Sequence, residues 1–207
     1  GGAARAPLPG AVFGVALLSL VYLVLYFAYT NNISLFVAAA ALGTAAQAGM
    51  SYSIVNLCGF GGGLLFGRLQ EGLRGWMLPV SVGVTTAGFF IIAASGSLPV
   101  LYAGSVLIGV GLAWFLPQTQ TMIGALVPPE RAADAFGVNG AISNAGQFLS
   151  APILGAAALA GGVTTERGML LLGAAGYVAL TVLCIPLFRR LAPGDGADHQ
   201  KIRRKTL

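Results

Sequence analysis

Three tyrosines, Tyr22, Tyr26 and Tyr29, fall at i, i+4 and i+7 in a stretch that holds no charge. That spacing puts their rings on one face of a helix. Such a stripe can orient a solute through its hydroxyls, or it can be a packed aromatic seam with Tyr29 in an interfacial belt. Trp114, Gln118 and Thr121 form a second such face, with Pro117 removing one backbone hydrogen bond beside them. The freed carbonyl invites Gln118, Thr121 or a ligand. An indole beside an amide suits a partly apolar organic solute, and the competing reading is purely structural. Asn139, Ser143, Asn144 and Gln147 crowd another apolar segment, while Tyr52 and Asn56 stand one turn apart in a fourth. Amides at that density avoid lipid, so they either line a cavity or join helices. Gly59, Gly63 and Gly67 repeat every four residues and read as a close-packing stripe. Arg68, Glu71 and Arg74 follow at the end of that segment.

The missing groups narrow the chemistry further. No acid, base or histidine lies deep within any apolar segment, so the usual intramembrane proton carriers are lacking. The one histidine, His199, sits in a polar tail, which removes Ser–His and zinc-hydrolase chemistry. Cys58 and Cys184 lie inside apolar runs and read as small buried hydrophobes, not as a disulfide or metal framework. No glycine-rich loop ends in Lys-Ser or Lys-Thr to hold a nucleotide. The chain is thus expected to be no enzyme, with no cofactor, no metal and no catalytic set.

The elements that position these side chains follow from composition. Apolar residues make up 57% of the 207 and charged ones 8%, with a mean hydropathy of +0.84. So few charges cannot coat a soluble domain. The apolar runs are continuous rather than alternating, which points to helices and away from a β-barrel. Spans are expected at roughly residues 9–30, 45–68, 76–95, 99–127, 135–160 and 168–188. Turn residues separate them, among them Asn31-Asn32, Gly72/Gly75, Pro128-Pro129 and Gly161-Gly162; residues 33–46 either extend the first helix or lie at the interface. The organisation is then a short N-terminal segment 1–8, a six-helix transmembrane domain 9–190 and a basic tail 191–207. Of the 11 Lys and Arg residues, all but Arg167 fall on one side of this arrangement. Both termini are therefore expected in the cytoplasm, with the cell's plasma membrane as host. The net charge of +5 marks a membrane face, since no basic–aromatic interleaving suggests nucleic acid.

Three stretches in register with these spans resemble the major facilitator superfamily, in the order of its second six-helix half. The first runs from Leu42-Gly43-Thr44-Ala45-Ala46-Gln47 through Gly59-Phe60-Gly61-Gly62-Gly63 to Gly67-Arg68, Glu71 and Arg74, similar to a degenerate copy of the family's charged loop. The second is Gly109-Val110-Gly111 with Trp114 and Pro117, followed by Pro128-Pro129-Glu130-Arg131. The third is Asn144-Ala145-Gly146-Gln147 with Pro152. The resemblance implies two three-helix inverted repeats and a rocker-switch carrier whose second half lies elsewhere, in a longer parent chain or a second copy. Gly1 in place of a methionine fits a fragment or a processed product. The resemblance also implies that the first and fourth helices line a cavity, with Tyr22, Tyr26, Trp114, Gln118 and Thr121 as substrate candidates. The second and fifth would meet the other half through Tyr52, Asn56, Asn139, Asn144 and Gln147. The third and sixth would face lipid, their hydroxyls satisfied on nearby carbonyls, and Arg68, Glu71 and Arg74 would form a gate-side charge cluster. The implied activity is secondary transport of a small organic molecule, of drug or metabolite efflux type. The rivals are a half-size carrier working as a homodimer and a six-span assembly subunit that transports nothing.

Overall fold

A computed structural model describes residues 7–191 and, among these, all side chains except those of Arg74 and residues 186–191. The basic tail from residue 192 and Arg5 lie outside the described residues. Six helices make up the fold, with no strand among the described residues: α1 Gly10–Ala39, α2 Ala45–Leu73, α3 Met77–Ala94, α4 Leu98–Leu126, α5 Ala132–Ala160 and α6 Glu166–Leu191. Five of them are long and apolar enough to cross a membrane. The exception is α5, the helix that carries Asn139, Asn144 and Gln147. The protein is an integral membrane protein.

Local chemistry sets the helix ends. Thr44 and Gln47 form a capping box at the start of α2: Gln47 Oε1 accepts from the Thr44 N–H at 2.8 Å, and Thr44 Oγ1 accepts from the Gln47 N–H at 3.4 Å. Thr165 caps α6 through the Gly168 N–H, at 3.1 Å. Both α1 and α5 end in a Schellman motif, closed by Leu42 N–H to Val37 O at one and Val163 N–H to Ala158 O at the other. The left-handed residue is Gly162 (φ 64) after α5 and Ala41 (φ 52) after α1.

The first helix runs nine residues past its expected end at residue 30, through the Asn31-Asn32 pair. Asn32 donates its side-chain amide to Ala28 O at 2.9 Å, one turn back, so the Asn31-Asn32 pair is accommodated within the helix. With no Gly or Pro between Asn31 and Ala41, nothing breaks it there.

The helix pairs repeat under exchange of α1–α3 with α4–α6. The α1–α5 contact matches α4–α2, α1–α6 matches α4–α3, and α3–α6 and α1–α4 map onto themselves. This is the two-repeat arrangement that the resemblance implies. α2 lies parallel to α4 with a partner at nearly every turn. Tyr102 donates to Gln47 O at 3.2 Å, Ser51 meets Ser105 at 2.7 Å, and Trp114 Nε1 donates to Gly62 O at 3.0 Å. Val55 lies against Gly109 so closely that a Cβ at position 109 would strike its carbonyl. The backbones of α3 and α4 meet at Gly88 and Gly104, where a Cβ on either would fall within 3.0 Å of the other's carbonyl, at 2.8 and 2.9 Å.

The expected glycine stripe on α2 does not pack within the chain. Gly63 and Gly67 meet nothing and Gly59 is in ordinary contact with Gly109 O; the packing glycine is Gly62, against Val110 and Ala113. The seam lies one residue off the four-residue repeat because α4 faces the side of α2 that carries Ser51, Val55 and Gly62. α3 is also less lipid-facing than expected: it is wedged between α4 and α6, with Ser81, Thr85, Phe89 and Ile92 enclosed. Its hydroxyls do bond to nearby carbonyls, Ser81 to Leu78 O and Thr85 to Ser81 O, as do Thr86 to Val82 O and Thr181 on α6 to Tyr177 O. At the end away from the chain termini, Arg167 holds three helices. Its guanidinium donates to Ala93 O and Ser95 O at the end of α3 and lies 5.2 Å from the Phe36 ring centroid on α1.

Candidate functional site

The tyrosine face of α1 divides. Tyr22 is fully enclosed, its ring stacked on Phe115 at 3.7 Å and its hydroxyl paired with Thr85 at 2.7 Å. Tyr177 donates to the Tyr22 carbonyl at 2.9 Å, so this tyrosine ties α1 to α3, α4 and α6. Tyr29 is likewise enclosed and bonds Ser51 at 2.7 Å, the start of a hydroxyl chain that passes through Ser105 to Leu101 O. Tyr26 is buried too, at 7% exposure, but lies beside Tyr52 on α2, which is 39% exposed. Asn56, one turn along, is exposed and donates a side-chain amide N–H to Tyr52 O at 2.9 Å.

Trp114 and Gln118 do not join that face. Trp114 meets α2 about two and a half turns beyond Ser105, further along the same α2–α4 seam. Trp114 bonds Gly62 O, and Gln118, 7% exposed, takes a 3.4 Å contact from Gln70 Nε2. Both are joints between α2 and α4. Thr121 is exposed and donates to Pro117 O at 2.9 Å, which is the carbonyl one turn back. The structure therefore brings Tyr26, Tyr52 and Asn56 together, and separates them from Tyr22, Trp114, Gln118 and Thr121.

On α5 the buried stripe is Ala135, Asn139, Ser143, Gly146, Ser150, Leu154 and Ala158, the side that packs on α1. Gly146 abuts the Leu20 backbone, and Ala135 joins Val12, Val15 and Ile123 in a small apolar cluster. Between these two fixed points stand Asn139 and Ser143, 3% and 8% exposed. Asn139 Oδ1 and Ser143 Oγ are the two buried side-chain polar atoms without a hydrogen-bond partner among the described residues. Asn144 and Gln147, by contrast, are exposed, offset round the helix from that stripe.

Arg68 and Glu71 are exposed on the last turns of α2, and neither is ion-paired among the described residues. The Arg74 side chain lies outside the described set. The ion pair that is described joins Arg131 Nε to Asp134 at 3.2 Å, at the α4–α5 link.

Sequence reasoning missed Ser51, Ser105 and Gln70, because their partners stand on other helices and no local spacing announces them. Gly109 and Gly146 did lie within quoted motifs, and their physical role is close backbone approach at the two repeat-related seams.

No curated protein matches the chain. The family model described as Major Facilitator Superfamily matches residues 18–206, nearly the whole length over which the sequence motifs and the paired three-helix repeats are found. The chain belongs to the major facilitator superfamily.

Proposed function

We propose that this chain carries one wall of a cavity through which a small organic molecule, of drug or metabolite type, crosses the membrane by alternating access. The observation that carries the reading is a set of neutral polar groups that hydrocarbon would not tolerate. Tyr52, Asn56, Asn144 and Gln147 are exposed on α2 and α5, and Asn139 Oδ1 and Ser143 Oγ are buried without partners among the described residues. An unpaired buried polar atom costs about 1–3 kcal/mol, and such atoms mark a bound water, ion or functional role. Exposed amides on such helices face protein or a water-filled space, not lipid. They stand on α2 and α5, with α1 and α4 between them.

The recognition groups are then Tyr52 and Asn56 on one flank, backed by the buried Tyr26, and Asn144 and Gln147 on the other. The Asn56 carbonyl accepts from a solute donor, the Gln147 and Asn144 amides bond in either sense, and the tyrosine rings give apolar contact. With no ionisable group deep in a span, recognition here uses hydrogen bonds and ring faces, and ion coupling, if present, belongs to the other six-helix half. That half completes the cavity, as part of a parent chain or as a second copy. Export is the direction this reading favours. Host and orientation follow the charge bias: plasma membrane, termini cytoplasmic.

The test is ligand affinity and melting temperature of Asn56→Ala and Gln147→Ala in the complete transporter. Each loses a hydrogen bond worth about 0.5–1.5 kcal/mol, or about 2- to 10-fold in affinity, with melting temperature unchanged. Unchanged affinity beside a lowered melting temperature makes these residues packing groups and sinks this site. Solute flux through liposomes holding only monomers of this chain overturns the half-carrier reading, and flux through a stable dimer identifies the second copy as partner.

A further inference from the structure

Ser51 of α2 is fully enclosed between Tyr29 of α1 and Ser105 of α4, with 2.7 Å to each hydroxyl. The direction of this chain is fixed at its far end. Ser105 donates to Leu101 O at 2.9 Å, so its hydrogen is spent and its oxygen accepts from Ser51. The single hydroxyl hydrogen of Ser51 is given to Ser105, so Ser51 accepts from Tyr29. Three hydroxyls aligned donor to acceptor polarise one another, out of reach of water. Ser51 is thus held by two other helices at once.

That hold sets how α2 is turned. Neighbouring helical residues are about 100° apart, so Tyr52 lies about 100° round from Ser51 and Asn56 about 140°. Val55 lies about 40° round, on the seam, where it is 1% exposed against Gly109. With Ser51 fastened inward, Tyr52 and Asn56 are carried to the open side, where both are exposed. Tyr29 serves twice, since its ring also lies parallel to that of Tyr52, at 6° and 6.3 Å between centroids. Little else resists a roll of this turn. α1 and α2 meet sparingly, and on the α4 side Gly109 offers Val55 backbone only, with no side chain to lock against.

We propose that Ser51 is a positioning residue for the face read as a cavity wall. It touches no solute, and through its two hydroxyl bonds it sets the angle at which Tyr52 and Asn56 meet one. The inference rests on that reading, because a face that met no solute would need no such positioning.

The test reads the angle without needing a solute. The complete transporter, without Cys58 and Cys184, is placed in lipid nanodiscs with one cysteine at a time. Its rate of reaction with a charged methanethiosulfonate is measured. Asn56→Cys should react fast and Val55→Cys slowly. A turn released from Ser51 rolls Val55 toward the place of Asn56, so the rate at Val55→Cys reports how often it is released. Tyr29→Phe and Ser105→Ala each cut one of the two bonds and should raise that rate about 2- to 10-fold. Ser51→Ala cuts both and should raise it further, after which Tyr29→Phe adds nothing. Tyr22→Phe is the control. It removes an equally enclosed hydroxyl from the same α1, but one paired with Thr85 on α3. It should lower the melting temperature and leave the rate at Val55→Cys unchanged. An equal rise in Tyr22→Phe and Tyr29→Phe would be general loosening and would reduce Ser51 to packing. A Tyr29→Phe effect that persists in full beside Ser51→Ala would also defeat the proposal. An unchanged rate in Ser51→Ala, with Asn56→Cys reactive, overturns this inference alone. An unreactive Asn56→Cys removes it together with the cavity assignment.

Discussion

The indole N–H of Trp114 ends on the carbonyl of Gly62, and Gln70 and Gln118 meet one turn further along the same seam. A Trp114→Phe change keeps most of the ring and removes that single donor. The expected loss is about 0.6–1 kcal/mol of stability, seen as a lower melting temperature, with ligand affinity unchanged. The reverse pattern, weakened binding in a protein of normal stability, would return Trp114 to the cavity wall. Ser143 predicts the opposite behaviour. Its hydroxyl is buried without a partner among the described residues, so Ser143→Ala should leave the melting temperature unchanged or raise it, because the desolvation penalty goes with the hydroxyl. Reduced transport in that stable variant would assign the hydroxyl to a solute or to water met during the cycle. A clear fall in melting temperature would mean that a buried water already bonds it.

At the scale of the element, the two Schellman ends of α1 and α5 offer an internal comparison. Gly162 takes a left-handed backbone without penalty, whereas Ala41 holds φ 52 with a Cβ in place. Replacing Ala41 with Gly should stabilise the protein by up to about 1 kcal/mol, and Gly162→Ala should cost a similar amount. Melting temperatures of the two variants check both signs. An Ala41→Gly protein that melts lower would show that the helix end gains more from the methyl group than it loses to strain. Element ends also carry the long-range joints: Arg167 closes the carbonyl end of α3 while resting on Phe36 of α1. Among the described residues it is the lone basic group at that end of the bundle, and it is occupied structurally.

For the whole molecule, the charge bias makes a directional prediction. In a background without Cys58 and Cys184, single cysteines at Gly96 and Thr164 should react with an impermeant thiol reagent in intact cells. A cysteine at Pro129 should react only after permeabilisation. Labelling of Pro129 and not of the other two would invert the topology, and with it the side on which Arg68, Glu71 and the basic tail stand. Asn32 is unsuited to this assay, because α1 continues through it to Ala39.

What the chain determined by itself were the features that depend on composition and local order. A polypeptide with 8% charged residues has one solvent available to it, and continuous apolar runs in that solvent must be helices because every backbone group needs a partner within its own segment. Thr44 and Gln47, Thr165, and the paired glycines after α5 mark helix ends by chemistry that acts over three or four residues. The family motifs were readable for the same reason. Which face of each helix meets which neighbour is decided only by the assembled bundle, since in these all-round apolar helices the sequence carries little amphipathic signal to orient them. Tyr22, Tyr26 and Tyr29 share one face, yet α3, α4 and α6 surround Tyr22, Ser51 takes Tyr29, and Tyr26 is left beside Tyr52. Gly59, Gly63 and Gly67 have the spacing of a packing stripe, and α4 lies instead against Gly62. Asn139 and Ser143 look like their neighbours Asn144 and Gln147 in sequence, and the approach of α5 to α1 at Gly146 and Leu20 is what buries one pair and exposes the other.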